Sequence, residues 1–230
     1  MIRENLEYIR SDIANVCASC GRDASEVTLI AVSKLKPNSD ISEAIDAGQR
    51  DFGENWVQEL KDKIPAFPED INWHLIGHLQ KNKVKYIVDK VKYIHSVDSV
   101  DLAAQIEKEC VKKNCECNIL LEVNVAREES KSGFFEEDLM SAVEEIAKFS
   151  HVHIKGLMTV APFVEDPEEN RVYFRKLKHL LVDIQNKKVD NVQVDVLSMG
   201  MTNDYKIAIE EGATMVRIGT AIFGARDYSK

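Results

Sequence analysis

The chain has 230 residues, 30% of them charged, and a formal net charge of -9 from 39 acidic against 30 basic residues. That length suits one well-buried core spanning residues 1–230, the acidic residues are spread along the chain, and no dense basic stripe of the kind needed to track phosphate backbones stands out. The N-terminal MIRENLEYIR carries charges where a secretion signal would be apolar, and no stretch approaches a membrane span, which predicts a cytoplasmic protein.

The first element is an amphipathic helix: Ile2, Leu6, Ile9, Ile13 and Val16 recur at spacings of three and four, and Gly21 ends the pattern. Residues 27–33 then form a continuous apolar, β-branched run, the kind a parallel strand needs when both its faces are covered. Asn38, Ser39 and Asp40 offer N-cap chemistry for a short helix stopped at Gly48. From there the pattern repeats. Strands are predicted at 50–53, 72–77, 93–97, 118–125, 153–160, 193–199 and 215–219, separated by helices at 56–64, 79–89, 100–113, 136–149, 166–187 and 203–211.

Eight strands in strict βα alternation predict an α/β fold, a single (β/α)8 barrel of the TIM type with an extra N-terminal helix. An open doubly wound sheet is the alternative, but the turn after the first strand, SKLKPNS, lacks the glycines of a dinucleotide-binding turn. After the eighth strand about ten residues remain, too few for a full helix, and the N-terminal helix is expected to cover that gap.

In such a barrel the working face is the C-terminal end of the strands. There the sequence places Lys34, Lys36, Glu54, Asn55, His78, Asn124, Lys131, Met158, Thr159, Ser198, Gly200, Arg217, Gly219 and Thr220. Lys34 ends the apolar run LIAVS, so its amine either emerges over the barrel mouth, partly desolvated and suited to attack a carbonyl, or stands as a surface lysine past a strand end. Lys36 shares the strand parity but lies farther out before Pro37, and reads as supporting charge. Ser198 to Thr202 follow strand seven and Gly219-Thr220 strand eight, where barrels commonly bind phosphate. Glycines allow close approach of the main chain, and the hydroxyls of Ser198 and Thr220 would add donors; the same glycines could equally be turn punctuation. Arg217, between Val216 and Ile218, must either pair with a carboxylate or face a ligand. Together these suggest a phosphorylated carbonyl ligand.

Other constellations are weaker. Cys17-x-x-Cys20 falls within a helix and Cys115-x-Cys117 has a single spacer, so a zinc site is not expected; the odd count of five cysteines fits a reducing compartment. His74 and His78 flank Gly77 at a strand end and share no helix face, so no metal is expected there. The lysines at 81, 83, 85, 90 and 92 read as a solvated helix face, and no nucleic-acid or membrane partner is expected.

The segments AVSKLKP, FGENWVQE, WHLIGHLQKNK, SKSG, GLMT, LSMGM and MVRIGTAIFGARDY, in this order over nearly the whole chain, resemble the pyridoxal phosphate homeostasis protein family, relatives of the barrel domain of alanine racemase. The resemblance implies a barrel that binds pyridoxal 5'-phosphate without an established reaction and helps balance vitamin B6 and amino and keto acid pools. It also implies that Lys34 forms the Schiff base, that Ser198, Gly200, Met201, Gly219 and Thr220 form the phosphate cup, that Arg217 meets the ring nitrogen, and that Asn55 lines the cofactor. The alternative is a racemase-like enzyme dependent on pyridoxal phosphate. A racemase needs an acid/base group on each face of a planar intermediate, and the sequence offers no second domain to supply the other one. A phosphate-ligand barrel enzyme without a covalent cofactor is a third reading. The expected state is a cytoplasmic monomer, with apo-forms of pyridoxal phosphate enzymes as partners.

Overall fold

A computed structural model describes residues 1–225; the end of the last motif, Arg226 to Tyr228, lies outside the described residues. Eight strands, β1 (Thr28–Val32), β2 (Asp51–Glu54), β3 (Asn72–Leu75), β4 (Tyr93–Val97), β5 (Cys117–Glu122), β6 (Val152–Met158), β7 (Val196–Ser198) and β8 (Met215–Ile218), pair in sequence order as a closed barrel. Every pairing is parallel, and β8 returns to β1 with Ile30 opposite Arg217. The helices are α1 (Ile2–Ser19), α2 (Asn38–Asp46), α3 (Val57–Lys63), α4 (Val100–Lys113), α5 (Glu136–Ile146), α6 (Arg171–Lys187), α7 (Tyr205–Glu210) and α8 (Thr220–Phe223).

Two apolar layers hold this together. Helix faces such as Leu177, Leu181 and Ile184 of α6 pack on the outward side chains of the strands in one large cluster. A second, smaller cluster of Ile30, Leu120, Met158, Val196 and Met215 comes from alternate strand positions and fills the barrel interior. Because α8 is only four residues long, α1 covers the opening beside it. Its buried stripe Ile2, Leu6, Ile9, Ile13 and Cys17 faces inward, and Asn5 Nδ2 donates to the Ile222 carbonyl at 2.9 Å.

Two predicted elements differ. The helix expected at 79–89 is a 3-10 segment, Lys81–Tyr86, in which Lys83 and Ile87 bond back three residues. Lys81 and Lys85 would face each other one turn apart in an α-helix, a like-charge pair that disfavours it. The strand expected at 193–199 shortens to Val196–Ser198, since Gln193 to Asp195 reach it as irregular chain with only Asp195 N–H bonded across, to Lys155.

The register of β6 on β7 depends on Gly156, opposite Val196: an added Cβ would stand 1.8 Å from the Val196 carbonyl oxygen. Backbone cannot yield as a side-chain tip can. Gly156→Ala should therefore cost about 3 kcal/mol or more, read as a lowered urea midpoint; an unchanged midpoint would mean that β6 and β7 slide freely.

Candidate functional site

At the C-terminal mouth of the barrel lies a cavity of about 850 Å³, within the usual range for small-molecule and cofactor sites. Lys34, Asn55, Met201, Arg217, Gly219 and Thr220 line it, joined by Lys131, Thr202, Asn203 and an apolar wall from Val160 to Val164. Six of the eight residues singled out in the sequence thus converge. Ser198 and Gly200 do not reach the cavity wall. Ser198 is fully buried and its Oγ accepts from Arg217 Nη1 at 2.6 Å, so its hydroxyl is turned into the barrel rather than toward a phosphate. Gly200 has φ +92°, gives its carbonyl to Arg217 N–H at 3.0 Å, and lies against Ala208 of α7.

Lys34 is held by the loop that ends β1. Leu35 adopts φ +60°, in the left-handed region that disfavours a side chain. Glu59 Oε2 accepts the Leu35 N–H at 2.9 Å and also the Lys63 ammonium at 2.6 Å. Lys63 in turn donates to the Ser33 carbonyl at 2.9 Å and to Glu54 Oε1 at 2.7 Å, and Ser33 Oγ donates to the same oxygen at 2.6 Å. Burial outweighs the lysine and pushes the Glu54 carboxyl up to about 7. Glu54 therefore belongs to a buried bracket behind the loop, and the spacing of Glu54, Glu59 and Lys63 on β2 and α3 is its only trace in the sequence.

The left-handed residue also overturns the expected parity of Lys36. Its Nζ turns to the carbonyls of Phe223, Gly224 and Ala225 at 2.9, 3.4 and 3.1 Å, tying this loop to the end of α8. Lys131 reaches the cavity from the loop after β5, donating to the Val160 and Ala161 carbonyls at 3.2 Å and pairing with Glu128 at 2.7 Å. Asp204 fixes the loop after β7: its carboxylate accepts the Met201 N–H at 2.7 Å and Asn170 Nδ2 at 2.9 Å.

Arg217 is 4% exposed, and its second amino group donates to the Thr159 carbonyl at 2.8 Å. Burial lowers its pKa to about 10, with Asp204 and Glu122 opposing, so it remains a cation at neutral pH. Glu122 is pushed up to about 7 by burial and by Asp98, against Arg217 and Lys131. Sequence reasoning missed what lies beneath Arg217: His95 Nδ1 is 2.9 Å from Ser198 Oγ, His95 Nε2 is 3.0 Å from His74 Nδ1, and His74 Nε2 is 3.0 Å from Asp51 Oδ1. The inward parity of His74 and His95 was a usable signal; their meeting across β3 and β4 was not. Among the described residues no group of three or more His, Cys, Asp or Glu is arranged for a metal, and no helix is long and apolar enough to cross a membrane.

Both imidazoles are fully buried and burial lowers their pKa values, so they fold neutral. The unfolded chain binds protons that these rings refuse. Their contribution to stability is therefore complete above the ordinary imidazole value of about 6.5 and is lost as pH falls below it. The stability difference between the native protein and His74→Gln, which cannot titrate, should shrink by up to about 1 kcal/mol between about pH 6.5 and about pH 5.5 in urea unfolding. A constant difference would mean that burial does not shift the His74 titration, and a difference that grows toward low pH would mean that His74 is charged in the fold.

The fold and the arrangement of its mouth define a class: the family model for the alanine racemase N-terminal domain matches residues 4–227. The curated relatives narrow this. The chain is 43% identical over 226 residues to the pyridoxal phosphate homeostasis protein of Aquifex aeolicus strain VF5, covering 98% of each. It is 41% identical over 234 residues to the protein of the same name from Escherichia coli K12, covering 100% of this chain and 98% of that one. This chain belongs to the pyridoxal phosphate homeostasis protein family. Among solved structures, PipY of Synechococcus elongatus PCC7942 with PLP bound superposes with a TM-score of 0.85 at 34% identity, covering 97% of this chain and 100% of that one.

Proposed function

We propose that this protein binds pyridoxal 5'-phosphate at the barrel mouth and serves in intracellular homeostasis of the cofactor and of amino and keto acids. The observation that carries this reading is a single cavity presenting a lysine, a permanent cation and hydroxyl donors from the ends of β1, β7 and β8. When bound, the cofactor supplies an electrophilic aldehyde and a ring able to accept electrons. Lys34 Nζ is the group for a Schiff base with that aldehyde. Thr202, Asn203, Gly219 and Thr220 lie together at the end suited to the phosphate, with the loop of Met201 braced by Asp204. Asn55 lines the same cavity from the end of β2.

Arg217 is the group for the ring nitrogen. A guanidinium beside that nitrogen disfavours its protonation and weakens the ring as an electron sink, which suits holding the cofactor better than turning over amino acids. Residues 1–230 act in this reading as one cofactor-binding domain, as a cytoplasmic monomer that passes the cofactor to apo-enzymes.

Replacing the lysine tests the covalent step. Lys34→Ala should fold, since the side chain stands at the mouth, and should lose the visible absorbance of a Schiff base; borohydride reduction of the native protein should label the Lys34 peptide. Full absorbance in the variant would refute the assignment. The phosphate end is tested separately: pyridoxal lacking phosphate should bind more weakly by about 3 kcal/mol, roughly a hundredfold in Kd. Equal affinity by isothermal titration would remove the phosphate cup.

A further inference from the structure

Beneath the mouth, hydrogen bonds run without interruption from Arg217 through Ser198, His95 and His74 to Asp51, the first residue of β2 at the floor of the barrel. The histidines are fully buried, and their rings are packed by Tyr93, stacked on His74 at 5.7 Å and edge-on to His95 at 6.1 Å. At the floor end the Asp51 side chain is 17% exposed, beside Lys92 at 3.3 Å.

The direction of each proton follows from the two ends. Asp51 as a carboxylate can only accept, so His74 Nε2 bears hydrogen and His74 Nδ1 is bare. His95 Nε2 must then donate to it, which leaves His95 Nδ1 bare and requires the Ser198 hydroxyl to donate there. With its hydrogen committed, Ser198 Oγ is an acceptor facing a guanidinium, which can only donate. The alternative, a charged His74, keeps its Nε2 hydrogen on Asp51 but reverses His95, so that the Ser198 hydroxyl faces two donors, His95 and Arg217, and finds no acceptor in either.

We propose that Asp51, His74, His95 and Ser198 are positioning residues: a one-way hydrogen-bond relay, anchored on the Asp51 carboxylate at the barrel floor, fixes the orientation of the Arg217 guanidinium at the mouth. Each bond in the relay points the same way, so their dipoles add from the anion to the cation. Arg217 Nη1 is held back on Ser198 and Nη2 on Thr159, which sets the plane of the group that the cavity sees. The relay rests on the proposed function only in naming the ring nitrogen as what that plane faces.

The test uses the full chain with nitrogen-15 in histidine and arginine, first without cofactor and then loaded with pyridoxal 5'-phosphate. Without cofactor, both His74 and His95 should show the proton on Nε2. In Asp51→Asn and His74→Leu, hydrogen exchange of the Arg217 guanidinium should rise roughly tenfold or more, and His74→Gln, whose amide can both accept and donate, should recover much of the protection. Phe174→Leu, a buried change in the apolar layer outside the barrel, controls for lost stability and should leave Arg217 exchange unchanged. A proton on Nδ1 of either ring, or unaltered exchange in whichever of Asp51→Asn and His74→Leu folds, overturns the relay. In the loaded protein, Asp51→Asn should shift the absorbance maximum while cofactor content is kept. Loss of binding in Lys34→Ala, or its absence from the native protein, bears on the proposed function and leaves the cofactor-free results standing.

Discussion

A guanidinium buried to 4% exposure at the mouth of a barrel of eight strands has little water to turn to, and the barrel must supply most of its partners from within. An unpaired buried charge costs far more than a fold of this size can spare. Arg217 is met by the Ser198 hydroxyl and the Thr159 carbonyl, with Asp204 and Glu122 as the opposing charges. Strand order makes this possible: β8 lies between β7, which brings Ser198, and β1, which leads to Lys34. The site is therefore arranged around one cation, with Lys34 from the end of β1 and Lys131 from the loop after β5 lining the same cavity. Three basic groups around one cavity, only partly offset by carboxylates, suit a ligand that carries phosphate.

The architecture was legible because its signals are local. Parallel strands covered on both faces read as short apolar runs, and Leu29 to Val32 is such a run. Helix periodicity marked α1, α4, α5 and α6, whose buried residues follow the expected stripe. The 3-10 segment at Lys81–Tyr86 escaped because Val84, Ile87 and Val88 satisfy either geometry, and only the lysine spacing argues between them.

The site was legible in its membership and less so in its orientation. Lys34, Asn55, Arg217, Gly219 and Thr220 stand at strand ends, and a barrel sends strand ends to one mouth. Ser198 stands at a strand end as well, yet β7 stops there and its side chain keeps the inward parity of Val196, below the cavity. His74 and His95 are separated by twenty-one positions, and no spacing rule announces that neighbouring strands bring inward histidines within 3.0 Å. Contacts across a closed barrel depend on register, which the sequence does not print.

The loop after β1 shows how a small departure from regular geometry decides chemistry. Had the strand continued, alternation would have sent Lys34 and Lys36 to the same side, two amines competing for one aldehyde. A left-handed Leu35 costs roughly 1 kcal/mol or more, and the Glu59 carboxylate offsets this by accepting the Leu35 N–H while Lys63 secures the Ser33 carbonyl just before it. The turn sends the Lys36 amine to the carbonyls at the end of α8 and leaves Lys34 on the cavity wall. Residues 54, 59 and 63, which never touch the cavity, thereby select which of the two loop lysines lines it.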